Sequence, residues 1–141
     1  MPLFIVFLIL GIATGCANVR LGRIVTIADW LLPVPLDVES RVTEGPDFLV
    51  TYMEFRKLNA SAGVYEGGYP QSFAPAGSTT QHDVIAGREI YWKRWEERDA
   101  GGTVFRAETK VADLYIFISA PSEDSLVSLQ KAIRALKRKK A

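Results

Sequence analysis

Residues 99–120 read DAGGTVFRAETKVADLYIFISA. The paired glycines supply the positive φ that a tight turn requires, so this stretch predicts a hairpin between an extended segment at 84–98 and another at 103–111. The unbroken apolar run at 114–120 is typical of a central strand covered on both faces. The stretch therefore predicts the middle of an antiparallel β-sheet.

A helix is predicted directly after this apolar run. Ser122 can cap its N terminus, and Glu123 and Asp124 suit the positive charge of a first helical turn. The apolar residues that follow recur at three- and four-residue spacing and form one stripe: Leu126, Leu129, Ile133 and Leu136. We expect this helix, which ends the chain, to cover one face of the sheet.

Alternating and apolar patterns predict further strands upstream, at 36–42, 48–55 and 62–65. The Gly-, Pro-, Ser- and Thr-rich stretch at 67–83 has the length of a functional or mobile loop. The strands come in hairpins, and a single helix is available to cover a face. The predicted fold is α+β, with a single antiparallel β-sheet of about six strands and one C-terminal helix packed on it.

The junction between the last strand and the helix reads FISAPS at 117–122. From residue 36 onward, this order of elements resembles that of the PsbP-like and DcrB-like α+β domains, in which a last apolar strand runs into a C-terminal helix. The resemblance implies a fold and no particular activity, since such domains serve many accessory roles.

The composition disfavours two classes of protein. The chain has 141 residues, with 17 Lys and Arg against 16 Asp and Glu, and 48% of its residues are apolar. A nucleic-acid-binding protein normally carries a basic excess, and a disordered chain has fewer apolar residues. Residues 1–16 hold no charged side chain, so the mean hydropathy of +0.08 owes much to them. No nucleic-acid partner is expected.

The N-terminal segment predicts export. Residues 3–10 read LFIVFLIL, and low polarity continues to residue 17. A helix of that length reaches about 22 Å, short of the roughly 30 Å hydrocarbon core of a bilayer, as is typical of a signal peptide. An uncleaved membrane anchor and an ordinary signal peptide cut near Ala17 are the alternatives.

The segment ends in ATGC at 13–16, and there it resembles the bacterial lipoprotein signal peptide with its lipobox. The resemblance implies cleavage after Gly15, diacylglycerol on the Cys16 sulfur, and an acyl chain such as palmitate on the new N terminus. Ala17, which stands where Asp would retain a lipoprotein in the inner membrane, favours the outer membrane of a Gram-negative cell. Cys16 is the only cysteine, so no intramolecular disulfide forms.

These observations divide the chain into three parts. Residues 1–16 are the lipoprotein signal peptide, residues 17–33 are a tether or short N-terminal strand, and residues 34–141 are the α+β domain. Pro33 and Pro35 mark the start of the folded unit, since proline ends regular structure.

No catalytic, cofactor or metal site is predicted. His82 is the only histidine, which excludes a site with several histidine ligands. Its neighbour Asp83 should point to the opposite side of an extended chain. The carboxylate pairs Glu96–Glu97 and Glu89–Glu108 are best explained by cross-strand pairing with basic residues.

An aromatic group is the best candidate for a ligand face. Along the predicted strand, Tyr91 and Trp95 share one side and Trp92 lies on the other, interleaved with cations. Aromatic residues beside cations stack on sugars or bases, although they also simply favour strands. The candidate ligand face comprises Tyr65, Tyr69, Phe73, Trp92 and Trp95.

The sequence ends in a basic tail, KRKK at 137–140, which suits a helix C terminus and keeps the chain soluble. Contact with anionic lipid or a cell-wall polymer is the alternative.

Together these features predict a small cell-envelope lipoprotein, held on a bacterial membrane and facing the periplasm. Its domain is expected to be a non-catalytic binding or scaffold module for an envelope protein or a cell-wall polymer. An exported hydrolase that uses the loop at 67–83 and a structural subunit of an envelope assembly are the competing hypotheses.

Overall fold

A computed structural model describes residues 22–67 and 72–140, so the expectations for Cys16 and Tyr69 lie outside the described residues. One helix, α1, spans Glu123–Ile133, and a short 3-10 turn spans Arg56–Leu58. The strands are β1 (Gly22–Ile27), β2 (Trp30–Pro35), β3 (Glu39–Glu44), β4 (Phe48–Phe55), β5 (Ala60–Gly67), β6 (Thr79–Ile85), β7 (Arg88–Asp99), β8 (Gly102–Val111), β9 (Leu114–Ala120) and β10 (Lys137–Arg138).

Seven of these strands form one antiparallel sheet in the order β3-β4-β5-β9-β8-β7-β6. The apolar run at 114–120 is β9, the central strand, as its composition predicts. Because β9 pairs with β5 as well as β8, the chain between β5 and β6 must pass over three strands to reach the far edge.

The hydrophobic core lies against one face of this sheet, here called the inner face. Met53, Ala62, Ile118 and Ala107 are cross-strand neighbours in one row, and all are buried. Neighbouring residues across an antiparallel pair point to the same side, so each such row adds a layer of apolar contact. The helix and a second sheet cover this face.

The helix agrees with its sequence signals. Ser122 has an extended backbone, and its hydroxyl accepts a hydrogen bond from the Ser125 N–H at 3.1 Å. The stripe predicted from the spacing is buried throughout: Leu126, Leu129, Ile133 and Leu136. The helix ends at Ile133, however, and the chain continues into β10.

The predicted fold class is wrong: the protein is mostly β and has two sheets rather than a single sheet of about six strands. The second sheet has three strands in the order β1-β2-β10. It forms because the alternation of residues 25–34 gives the β1–β2 hairpin a buried side, made of Val25, Ile27, Trp30, Leu32 and Val34. These residues belong to the same cluster as the core of the large sheet.

Pro33 and Pro35 lie within β2 and do not interrupt it. β10 pairs only with Trp30 and Leu31, so the prolines lie where β2 has no neighbour on that side. At these positions β2 forms the local edge of the sheet, where the missing N–H of proline is tolerated. The segment expected to be a tether or short strand thus contains β1 and most of β2.

Residues 84–98, expected to be one extended segment, are divided by a two-residue turn. Ala86 and Gly87 have φ of +54° and +72°, the pattern of a type I′ hairpin turn. This turn allows residues 79–85 to return along β7 as strand β6. The predicted loop at 67–83 is therefore shorter than expected, because its last five residues are in β6.

Candidate binding face

The face of the seven-stranded sheet that points away from the core, here called the outer face, carries aromatic side chains. In each strand, the residues that alternate with the core residues point to this face. Four aromatic residues among them are half-buried: Tyr52 of β4, Tyr65 of β5, Phe117 of β9 and Trp95 of β7. Neither the helix nor the small sheet covers this face, because both contribute to the core on the inner side.

A short segment crosses the outer face after β5 and is here called the strap, residues 72–78. Glu108 of β8, only 2% exposed, fixes it in place. The Glu108 carboxylate accepts hydrogen bonds from the Ser72 hydroxyl, from the Phe73 N–H at 3.2 Å and from the Ala74 N–H at 2.8 Å. Three donors compensate the buried charge, so the strap and Glu108 hold each other in position.

The strap places one more aromatic ring on the outer face. The ring of Phe73 meets that of Phe117 edge to face, with centroids 6.1 Å apart, and yet Phe73 remains 65% exposed. Phe117 also meets the ring of Tyr52 edge to face at 6.3 Å. The three rings make a continuous apolar surface across β4, β5 and β9.

A cleft of about 550 Å³ opens beside these rings. Gly63 forms part of its floor, and a Cβ there would overlap the ring of Phe117. Only glycine lets the Phe117 ring lie across β5 at this point. The walls combine aromatic, hydroxyl and charged groups, among them Tyr52, Ser61, Ser119, Arg41, Glu39, Glu54 and Arg106.

A second cleft, of about 280 Å³, continues from the first. Both are lined by Phe117, Ser119 and Arg106, and the second adds Phe73 and Trp95. We call the two clefts together the groove. It runs across the strands from β3 to β7, a distance of about 24 Å at roughly 4.8 Å per strand.

The cations of the groove are held in place by their neighbours. The guanidinium of Arg41 lies 5.0 Å from the centre of the Tyr52 ring. Arg106 Nε is 2.9 Å from Glu97 Oε2, and the other oxygen of Glu97 accepts the Trp95 indole N–H at 2.9 Å. These contacts hold the Trp95 side chain, which lines the groove.

The structure separates the residues proposed from sequence as a ligand face. Phe73 and Trp95 line the groove together. Tyr65 is on the same outer face but stacks on Phe48 at 5.6 Å, outside the groove. Trp92 is fully buried in the core, where its indole N–H donates to Asp83 at 3.1 Å.

Sequence reasoning missed several residues of the groove. The pairing of the strands decides which side chains point to the outer face, and the sequence does not show that pairing. The missed residues are Tyr52, Gly63, Phe117 and Arg106. The one available signal was alternation: in residues 114–120, Tyr115, Phe117 and Ser119 share a side, but an apolar run gives no sign of which side faces solvent.

His82 and Asp83 lie on opposite faces of β6, as alternation predicts. The His82 imidazole is on the outer face, 5.3 Å from the ring of Tyr91 and 3.8 Å from a Glu89 oxygen. Asp83 turns inward, where Arg134 Nε donates to both of its oxygens at 2.9 and 3.0 Å. The two side chains cannot act as a catalytic pair in this arrangement.

The pKa of Asp83 reflects these contacts. Burial alone raises the pKa, but hydrogen bonds from Arg134, the Val84 N–H and Trp92, with the charge of Arg134, outweigh burial and lower it below the usual 3.8. The ionised carboxylate therefore ties β6 to β7 and to the turn after α1.

The described residues contain neither a metal-binding cluster nor a membrane-spanning helix. Within 22–67 and 72–140, no three His, Cys, Asp or Glu side chains are grouped so that they could hold a metal ion. In the same part of the chain, no helix has the length and hydrophobicity needed to cross a membrane.

Comparison of the chain with family models, with curated proteins and with solved structures finds no match in any of the three.

Proposed function

We propose that this protein is a small lipid-anchored protein of the bacterial envelope, and that its groove binds an extended cell-wall glycan without catalysis. The observation that carries the binding function is the groove itself. The sheet has one face buried by its helix and second sheet, while aromatic and charged side chains remain exposed on the other. Exposed apolar surface rimmed by polar groups is typical of a binding site.

The chemistry of the groove suits a polyhydroxylated ligand. A sugar ring has an apolar C–H face that can stack on Trp95 or Phe73, and a rim of hydroxyl groups. Arg106, Arg41 and the serine pair Ser61 and Ser119, whose hydroxyls are 3.0 Å apart, offer hydrogen-bond partners to that rim. Planar guanidinium groups held by carboxylates and rings are well ordered for such contacts.

The direction of the groove favours a glycan over a peptide strand. A peptide that adds to a sheet pairs with the free backbone of an edge strand. This groove runs across the strands, where the backbone groups are already paired within the sheet. A ligand there meets side chains only, and a glycan chain needs nothing more.

The anchor part of the proposal rests on the sequence. The apolar leader, the ATGC motif and the single cysteine at position 16 support a lipid-modified N terminus. The first described strand begins at Gly22, so the domain follows the cysteine closely.

Sedimentation with purified insoluble cell wall tests the binding function. We expect the full-length protein to co-sediment, and Trp95→Ala or Phe73→Ala to weaken binding about tenfold, the equivalent of about 1.4 kcal/mol. Tyr91→Ala is the matched control, since Tyr91 is 58% exposed on the same face but does not line the groove. Equal binding by wild type and both groove variants, or no binding by wild type, would defeat the proposal.

A further inference from the structure

The small sheet has an outward side that nothing in the described structure covers. In β1 and β2 the residues alternate: Val25, Ile27, Leu32 and Val34 point into the core, so their neighbours point away from it. Ile24 is 57% exposed, and Leu36, just after β2, is 54% exposed. We call this side the docking face; its apolar residues are Ile24, Leu31, Pro33 and Pro35.

β10 brings the basic tail to the same sheet. Lys137 pairs with Leu31 of the docking face, and the Lys139 N–H donates to the Asp29 carbonyl at 2.8 Å, which holds the tail along the β1–β2 turn. Lys137, Lys139 and Lys140 are exposed. An apolar patch therefore lies beside a row of cations.

The position of Cys16 in the sequence indicates that the docking face contacts a membrane. The docking face includes β1, whose first residue, Gly22, follows Cys16 by six positions. Six residues of fully extended chain span about 20 Å at most. This step rests on the proposed function: if Cys16 carries lipid, the small sheet is held within that distance of the bilayer.

We propose that the docking face lies on the anionic surface of the membrane that holds Cys16. Exposed apolar side chains enter the interfacial region of a bilayer, and nearby lysines are attracted to anionic headgroups. The face carries both features side by side, and the tether keeps it at the required distance.

The acidic groups near this face, Asp29 and Asp37, are fewer than the three exposed lysines of the tail. Asp29 lies at the β1–β2 turn, and its charge acts on Glu66 of the inner face: burial first, then Asp113 and Asp29, raises the pKa of Glu66. Arg23 also faces inward, donating to the Ser40 hydroxyl at 2.7 Å. Asp37 follows Leu36, and it is half-buried. Three exposed lysines thus lie near one exposed carboxylate, that of Asp29, so the exposed charge beside the docking face is positive.

Docking would also orient the groove. The small sheet covers the inner face of the large sheet, whereas the groove is on its outer face. With the docking face on the membrane, the groove points away from the bilayer and toward the cell wall.

Lipid-borne quenching of a fluorescent label tests the proposal in the full-length, processed protein on vesicles of phosphatidylglycerol and phosphatidylcholine. A bimane label on Ile24→Cys reports on the docking face, and the same label on Val84→Cys, 50% exposed, reports on the outer face. The quencher is a nitroxide on a lipid acyl chain. We expect strong quenching at position 24, little at position 84, and a decrease at position 24 as salt is raised.

The charge-reversed variant Lys137→Glu, Lys139→Glu, Lys140→Glu should reduce quenching at position 24 to the level at position 84. The matched control reverses three exposed lysines elsewhere, Lys57, Lys93 and Lys110, and should keep the quenching. Equal quenching at both positions, or no effect of the tail reversal, would overturn the proposal. Mass spectrometry of the same sample reads acylation of Cys16 separately, so failure of docking and failure of the anchor are distinguishable.

Discussion

Asp83 connects three separate parts of the chain through a single carboxylate. It lies in β6, accepts the indole N–H of Trp92 in β7 at 3.1 Å, and is held by Arg134, which follows α1. Its side chain is 10% exposed, so bulk water does not replace these contacts. Because its pKa is lowered in the folded state, the folded protein binds fewer protons near pH 4 than the unfolded chain.

Asp83→Asn should lower the free energy of unfolding at pH 7 by about 1.5–3 kcal/mol, the value of a hydrogen bond to a charged group. The stabilisation from Asp83 is complete above the pKa of the unfolded chain and is lost as pH falls through the lower folded pKa, so the difference between the two proteins should shrink as the solution is acidified below pH 3.8. Urea unfolding at pH 7 and over a series of acidic pH values measures this difference. Asp47→Asn, at an exposed turn residue, is the control; a loss that does not depend on pH would contradict the explanation.

Alanine occupies a left-handed backbone conformation at the first position of three hairpin turns. Ala28, Ala86 and Ala112 have φ of +50°, +54° and +52°. A side chain with a Cβ costs roughly 1–2 kcal/mol in this region. These turns form in spite of that cost because the strands on both sides bury apolar residues.

Ala112→Gly should therefore raise the free energy of unfolding, by about 0.5–1 kcal/mol after the extra freedom of glycine in the unfolded chain is subtracted. Ala100→Gly, in a turn where the alanine φ is not positive, should lower it instead. Chemical denaturation of both variants measures whether each substitution raises or lowers the free energy of unfolding. Stabilisation by neither or by both would argue against strain at Ala112.

At the scale of elements, the position of the strap depends on its contact with the Glu108 carboxylate. Glu108 accepts bonds from Ser72, Phe73 and Ala74, and the strap in turn covers Glu108. Phe73 reaches the groove only because this contact places its backbone over β8 and β9. The strap should therefore open before the sheet does.

Glu108→Gln keeps the shape of the side chain but replaces one carboxylate oxygen, an acceptor, by an NH₂ group, which is a donor. That NH₂ group would face the donors of the strap. We expect hydrogen exchange of the Phe73 and Ala74 amides to accelerate, with a loss of about 1.5–3 kcal/mol in stability. Glu89→Gln, whose side chain is 78% exposed, is the control. Unchanged exchange at both amides would show that the carboxylate does not hold the strap.

Elements with strong local signals could be predicted from the sequence, and those that depend on pairing could not. The apolar run of β9 and the capped, striped helix α1 are examples of the first kind. The β6–β7 turn was missed because Ala86 has no intrinsic preference for positive φ. β10 has only two residues, both exposed and basic, so nothing in its composition indicates a strand.

The groove could also be predicted only in part, because alternation is a local signal and strand pairing is not. Alternation correctly separates Trp95 from Trp92, but it does not state which of them faces the core. That choice depends on the covering layer: the small sheet and α1 bury Trp92, and Trp95 is left on the outer face. The other half of the groove contains Tyr52 and Phe117, which lie in other strands, 43 and 22 residues from Trp95 along the chain.

At the scale of the whole molecule, the large sheet separates two surfaces with different chemistry. The groove combines aromatic rings with arginines on the outer face, and the docking face combines apolar residues with the lysine tail on the opposite side. Because the two surfaces lie on opposite sides of the sheet, the glycan site and the membrane contact that we propose would not compete. The membrane contact proposed for the docking face depends on the lipid anchor proposed at Cys16.

Mass spectrometry of the N terminus, on protein extracted from the membranes of its native host, tests that anchor directly. We predict a chain that begins at Cys16, with a diacylglyceryl thioether on its sulfur and an acyl chain on its amino group. An unmodified Cys16 still joined to Gly15 would contradict the account.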